Sequence, residues 1–446
     1  MALMVGVSGV RGIIGQTLTP ALVAEFAQAY GTLLEGGAAI LGRDSRPSGE
    51  MYASAAAAGL LAAGCPVTQL GVVMTPTVGR AIQDGRFAGG ISITASHNPS
   101  EWNGVKFLDA RGLAPDPAVA ARIAQIRERR EFRNATEFAP VCSDEDAGRR
   151  HVEAVLSAIE SPLEPLRGMR VVLDSVNGAG GRDGRALLER MGCEVIALNP
   201  EPTGRFAHPP EPIAENLTGL GVAVREARAA VGFAQDPDAD RLAIVDEHGD
   251  YIGEEYTLAL ACWSVLARRP GRVAANLSTS RMVDDVAARF GAQVRRTPVG
   301  EANVARGMID DGCVIGGEGN GGVIDPRITF VRDSLSAMSL VLQLAAREGQ
   351  PISRLAASLP RYTMIKQKFE CDRARIAAAA EAVARAFASE RITQVDGTRV
   401  DFADGWVHLR ASNTEPIVRI IAEAAGETLA HALIERVRAA AKLERQ

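Results

Sequence analysis

At 446 residues the chain exceeds what one hydrophobic core usually supports, so about two to four domains are expected. Charged residues make up 23% and hydrophobic ones 47%, an ordinary globular balance, and a formal net charge of -5 gives no general affinity for nucleic acid, so basic residues must act locally. The cysteines at 65, 142, 193, 262, 313 and 371 form no Cys-x-x-Cys pair, which argues against a zinc site or a disulfide framework and suits a reducing cytosol.

The N-terminal stretch "MALMVGVSGVRG" has no basic segment followed by an unbroken apolar run, so no export signal is expected and a cytoplasmic location is. A glycine-rich strand opens the chain, and a helix follows with Thr19 as its cap and Pro20 in its first turn. Three later segments repeat one pattern of apolar strand, polar loop, helix, glycine and strand: "AAILGRDSRPSGEMYASAAAAGLLAAGCPVTQLG", "MRVVLDSVNGAGGRDGRALLERMGCEVIALN" and "RVAANLSTSRMVDDVAARFGAQVRRTPV". Gly64, Gly192 and Gly291 fall at the helix C-terminus in all three, where a left-handed residue is wanted. The period is too long for a solenoid, so the copies read as whole domains.

The expected domains are 1–150, with "IESPLEPLRG" as linker, then 151–250, 251–362 and 363–446. "TLALACWSVLA" in the third is far shorter than the roughly 20 residues that span a bilayer. Pro360 breaks the α/β pattern, and the remainder offers strand, alanine-rich helix, hairpins around Asp396-Gly397 and Asp404-Gly405, strand and helix. The fold class is α/β, with three similar mixed α/β domains and a smaller C-terminal α+β domain.

Polar loops beside strand ends carry the chemistry. In "GGISITASHNPSEWNGVKFLD" Ile91 and Ile93 mark a buried strand and Asn98-Pro99 a turn, so Ser96 sits on a tight loop, where it is either a nucleophile or an ordinary turn residue. His97 as the base of a serine–histidine triad is disfavoured, because neighbours on an extended chain face opposite ways and no acidic orienter is evident. In "DPDADR" Asp236, Asp238 and Asp240 alternate, so on an extended loop their carboxylates converge on a hard cation such as Mg²⁺. An EF-hand is the competing reading, with Glu247 at the twelfth position, but Arg241 stands where that loop needs glycine. "GGEGNGG" holds Glu318 and Asn320, a pair able to grip vicinal hydroxyls, or simply a turn. "RASNTEPIVR" collects Arg410, Ser412, Asn413, Thr414 and Arg419 as a phosphate cradle or a charged hairpin. "DSVNGAGGRDG" fails the Gly-x-Gly-x-x-Gly pattern, so no dinucleotide site is expected. Nucleophile, cation site, hydroxyl grip and phosphate grip together point to phosphoryl transfer on a phosphosugar.

With "TASHNP", "DPDADR", "GGEGNGG" and "RASNTEP" in order, the whole chain resembles the α-D-phosphohexomutase family. The resemblance implies four domains around a central cleft, a phosphoserine at Ser96, and one Mg²⁺ held by Ser96, Asp236, Asp238 and Asp240. It places Ser96, His97, Lys106, Arg241 and Arg11 in the catalytic set, Lys106 as a proton acceptor if its pKa is lowered. Ser8, Thr297, Gly300, Glu318, Asn320, Arg410, Ser412, Asn413, Thr414 and Arg419 would bind substrate. The implied reaction interconverts a hexose 6-phosphate and 1-phosphate through a sugar bisphosphate, which doubles as activator. A phosphosugar is the expected partner, with neither nucleic acid nor membrane, and oligomeric state is left open. Asn320-Gly321-Gly322 replaces the Ser-Gly-His of many members and is similar to the archaeal-type branch that acts on glucosamine phosphate, whereas "DPDADR" looks more like the phosphomannomutase and phosphoglucomutase loop. Glucosamine phosphate is the expected substrate, mannose or glucose phosphate the alternative, and a non-catalytic sugar-phosphate binding protein the reading of another class.

Overall fold

A computed structural model describes residues 3–7, 9–85, 87–411 and 417–443. The first unit contains β1 (Met4–Gly6), β2 (Gly9–Ile13), α1 (Pro20–Leu33), β3 (Ala39–Arg43), α2 (Gly49–Ala62), β4 (Val67–Val72), α3 (Thr75–Gly85), β5 (Gly89–Ile93), β6 (Trp102–Asp109), α4 (Pro117–Arg129), β7 (Val141–Ser143) and α5 (Ala147–Ser157). Thr19 caps α1 through Leu22 N, and Pro20 occupies its first turn. The second unit has β8 (Arg170–Asp174), α6 (Gly181–Arg190), β9 (Glu194–Leu198), α7 (Thr218–Ala227), β10 (Val231–Gln235) and β11 (Leu242–Val245). The third has α8 (Glu254–Leu266), β12 (Val273–Asn276), α9 (Met282–Arg289), β13 (Val294–Thr297), α10 (Glu301–Asp311), β14 (Ile315–Glu318), β15 (Gly322–Ile324), α11 (Ser334–Glu348) and α12 (Ile352–Ala357).

The three sheets share one strand plan. In each, a central strand pairs in parallel with two others, β3 with β4 and β5, β8 with β9 and β10, β12 with β13 and β14. The next strand, β6, β11 or β15, then returns antiparallel to β5, β10 or β14; β11 and β15 are sheet edges, whereas β6 pairs on its far side with β2. The loops holding Ser96, Asp236–Asp240 and Glu318–Gly321 are therefore the same connection in three copies. Helices α2, α6 and α9 are followed by Gly64, Gly192 and Gly291 at φ +83°, +96° and +64°, as the repeated pattern requires.

The last unit has β16 (Thr363–Glu370), α13 (Arg373–Ala386), β17 (Arg391–Thr393), β18 (Thr398–Phe402), β19 (Gly405–Ala411), β20 (Ile417–Ala424) and α14 (Glu427–Ala440). Its sheet, ordered β16-β20-β19-β18-β17, is antiparallel throughout. The second and third units share one continuous core, in which α8 and α11 meet residues of β8, β10 and β12. Helix α11 reads "SLSAMSLVLQLAARE" and is buried nearly all round, so apolar residues fall on every face and its buried Ser334, Ser336, Ser339 and Gln343 are hydrogen-bonded. Among the described residues no helix is long and apolar enough to cross a membrane.

Candidate active site

Strand β5 ends at Ile93, and three residues later the backbone turns left-handed at Ser96, φ +52°, a conformation a non-glycine residue adopts only at a cost of roughly 1–2 kcal/mol. That turn changes the expected geometry of His97. Because Ser96 is not extended, both side chains face one way, and His97 Nδ1 lies 3.4 Å from Ser96 Oγ while its Nε2 lies 4.0 Å from Glu211. Burial, with Arg241 and Arg11 close by, pulls the imidazole pKa down to about 3. Ser96 Oγ itself donates to Asp236 Oδ2 at 2.7 Å. Arg11, on β2, reaches the same loop through Asn98 Oδ1 at 3.1 Å.

The aspartate loop is also a turn instead of an extended segment. Ala239 N bonds Asp236 O at 2.9 Å and Ala239 sits at φ +54°, which folds the chain so that the three carboxylates converge. Asp236, Asp238 and Asp240 are all buried, and one oxygen of each lies within 4.8 Å of the others. Asp238 Oδ2 accepts from Thr75 Oγ1 at 2.7 Å and Lys106 Nζ at 2.6 Å; Asp240 Oδ2 accepts from Arg332 Nη2 at 2.6 Å and Lys106 at 3.2 Å. Arg241 N donates to Asp236 Oδ1 at 3.1 Å, and its guanidinium stands 3.9 Å from Asp240. Asp238 Oδ1 and Asp240 Oδ1 are buried without any hydrogen-bond partner among the described residues.

Electrostatics divides the three. Burial, then Asp240 and Asp238, raises the Asp236 carboxyl well above the usual range. For Asp240 the cost of burial is outweighed by Arg332, Lys106 and Arg241, which hold it well below. The condition set for Lys106 as a proton acceptor, a lowered pKa, is not met. Burial lowers it, but Asp238 and Asp240 more than compensate, so the ammonium form is stabilised.

Arg332, just before α11, was not among the residues the motifs singled out. Its guanidinium joins the second and third units, with Nη2 on Asp240, Nη1 on Glu318 at 2.8 Å and Nε on Glu301 at 2.9 Å. Glu318 also accepts from Asn276 Nδ2 at 2.8 Å and Gly300 N at 3.1 Å, so its carboxylate is braced by internal donors. The buried Oδ1 of Asn320 has no such partner among the described residues. Thr297 ends β13, buried, with its hydroxyl on Pro298 O at 3.1 Å. The only sequence hint for Arg332 was a charged pair, Arg332-Asp333, directly ahead of an apolar helix.

On the last sheet Arg410 and Arg419 are cross-strand partners. Like charges directly opposite repel, and the buried Nε of each makes no hydrogen bond among the described residues, an arrangement that suits an anion. Arg410 also approaches Asp396 at 3.3 Å. Ser8, Ser412, Asn413 and Thr414 lie outside the described residues.

Family models cover most of the chain: "Phosphoglucomutase/phosphomannomutase, alpha/beta/alpha domain I" matches residues 2–134, domain II 149–249, domain III 253–362, and the C-terminal domain 364–440. A Methanopyrus kandleri protein named "probable phosphoglucosamine mutase" is 39% identical over 434 residues, covering 96% of this chain and 95% of its own. A Thermococcus kodakarensis protein named "phosphoglucomutase/phosphomannomutase" is 38% identical over 446 residues, covering 98% and 97%. The crystal structure of a phosphoglucomutase/phosphomannomutase family protein from Burkholderia thailandensis superposes with a TM-score of 0.85 at 27% identity, over 98% of both chains. With all four domains matched in order and relatives this similar along their full length, the chain belongs to the phosphoglucomutase/phosphomannomutase family of phosphohexomutases.

Proposed function

We infer that the chain interconverts glucosamine 6-phosphate and glucosamine 1-phosphate, with Ser96 carrying the phosphoryl group between turnovers. One observation carries the mechanism: Ser96 Oγ lies 2.7 Å from Asp236 Oδ2, within a ring of buried carboxylates and cations. The donor set fits Mg²⁺, being all hard oxygen, with two buried carboxylate oxygens that have no hydrogen-bond partner among the described residues. Ser96, Asp236, Asp238 and Asp240 would hold the ion, which when bound supplies stabilisation of charge on the transferring phosphoryl group.

The chain's own residues account for the rest. The P–O bond to Ser96 Oγ breaks as a bond forms to a sugar hydroxyl oxygen, and the hydroxyl proton must leave to a base. His97 stands beside Oγ, whereas Lys106 is held as a cation by two carboxylates, so Lys106, Arg241 and Arg11 serve as fixed positive charge around the moving group. The bisphosphorylated sugar then turns over and returns its other phosphate to Ser96. Glu318, Asn320, Thr297 and Gly300 would orient the ring; Arg410 and Arg419, with Ser8, Ser412, Asn413 and Thr414, would hold the phosphate that is not reacting.

The glucosamine assignment is supported by the Glu318-Gly319-Asn320-Gly321-Gly322 loop and by the name of the Methanopyrus relative. The "DPDADR" loop and the Thermococcus relative favour a second reading, mannose and glucose phosphates. A side-by-side assay of kcat/KM for glucosamine 6-phosphate, glucose 1-phosphate and mannose 1-phosphate, each started with sugar bisphosphate, separates them. Glucosamine 6-phosphate should rank first; a win by another sugar of tenfold or more, about 1.4 kcal/mol, would reassign the substrate and leave the mechanism standing.

A further inference from the structure

Strand β3 runs into a turn that carries Asp44 and Arg46, an ion pair at 3.1 Å with no exposed side-chain surface on either residue. A buried pair of this kind gains little over apolar packing unless its remaining donors are used. Here they are used on one short segment. Arg46 Nη2 donates to Ser96 O at 2.7 Å and to Asn98 O at 2.6 Å, and Nη1 donates to Pro99 O at 2.8 Å. The other side of Ser96 is tied to the same carboxylate, because Ser96 N donates to Thr94 Oγ1 at 2.9 Å and Thr94 Oγ1 donates to Asp44 Oδ2 at 2.7 Å. Both peptide groups flanking a serine in the left-handed region, φ +52°, therefore converge on Asp44 and Arg46.

A loop of the second unit closes this clamp. The Phe206 ring lies 5.0 Å from the Arg46 guanidinium. Gly204, at φ +64°, presses so closely on the turn that a Cβ there would stand 2.3 Å from Ser45 O.

We propose that Arg46, anchored by Asp44, is the positioning residue that holds Ser96 in its left-handed conformation and thereby aims Oγ at Asp236 and the reacting phosphoryl group. The inference rests on the reading of Ser96 as phosphate carrier. A planar fork reaching three carbonyls is something lysine cannot reproduce, so R46K keeps the charge and removes the geometry. A displaced nucleophile loses rate in the bound complex without losing substrate affinity.

The test compares R46K, R46A and T94V with the wild-type full chain in Mg²⁺, reading melting temperature, kcat per folded molecule, KM for the sugar phosphate, and phosphorylation of Ser96 by intact mass after incubation with hexose 1,6-bisphosphate. The expected result is folded R46K with kcat down about 100-fold, KM within about threefold and slowed phosphorylation of Ser96, and a smaller fall of the same kind in T94V. Folded R46K or R46A with kcat per folded molecule within about threefold of wild type would overturn the inference, as would a raised KM at unchanged kcat. So would loss of fold in all three variants, which would make the pair a folding element. S96A run in parallel separates the two failures: wild-type turnover in S96A removes the carrier reading itself, whereas a dead S96A beside a fully active R46K removes only the role of Arg46.

Discussion

Ser96 Oγ and Asp236 Oδ2 meet at 2.7 Å although 140 positions of chain separate them. The contact joins equivalent connections of two sheets, and it places the Ser96 hydroxyl directly on the carboxylate cluster. Ser96→Ala removes that hydroxyl at little cost in volume, so the fold should persist while turnover falls to background. Intact mass should find one phosphoryl group on the wild type and none on the variant, and an alanine variant with near-normal rate would sink the mechanism.

Asp238→Asn is nearly isosteric and leaves acceptors for Thr75 and Lys106, but removes one of three ligand charges. Ion binding should weaken, and the lost charge stabilisation, worth several kcal/mol, should lower kcat by about 100-fold or more. Titrating activity against Mg²⁺ after chelation checks this. Undiminished activity of chelated D238N would refute the site.

Arg332 neutralises Asp240, Glu318 and Glu301 together. Arg332→Met leaves those buried carboxylates without their shared cation and should destabilise the chain by about 3–5 kcal/mol, as breaking buried pairs does. Urea unfolding measures it. An unchanged midpoint would mean that the carboxylates find other cations, and activity should fall in either case because the Glu318 loop loses its brace to Asp240.

His208 Nε2 pairs with Asp174 Oδ2 at 3.0 Å, next to the loop that covers Arg46. The hydrogen bond to Asp174 raises the His208 pKa despite burial, and for Asp174 the effect of burial is outweighed by His208 and Asn199, so its pKa is lowered. A raised histidine contributes fully below its unfolded pKa of about 6.5 and loses that contribution as pH rises through the folded value; the lowered aspartate contributes above about 3.9 and loses it on acidification. The pair is thus worth most between roughly pH 4 and 6.5. Melting curves should show wild type above His208→Gln near pH 6 and the gap narrowing toward pH 8; a gap constant across that range would contradict the assignment.

The tripled unit was legible because strand and helix periodicities and C-terminal glycines are local properties, set by backbone sterics within a few residues of Gly64, Gly192 and Gly291. The four polar loops were legible for the same reason, since turn residues beside apolar runs mark strand ends. What local pattern could not contain was the meaning of residues whose partners arrive from a distant segment of the chain. Asp44, Arg46, Thr75 and Arg332 look like ordinary turn or helix-start residues, and only the packed chain sets Arg46 on the carbonyls of 96, 98 and 99, Thr75 on Asp238 and Arg332 between Asp240 and Glu318. The direction of Lys106 was likewise a tertiary matter, because burial alone would have lowered its pKa and the two facing carboxylates reverse the sign. Sequence thus determined which groups of chemistry the chain owns and at which strand ends they sit. Tertiary structure decided which charges face one another in low dielectric, and Coulomb energies there, unlike periodicity, depend on distances that no single segment encodes.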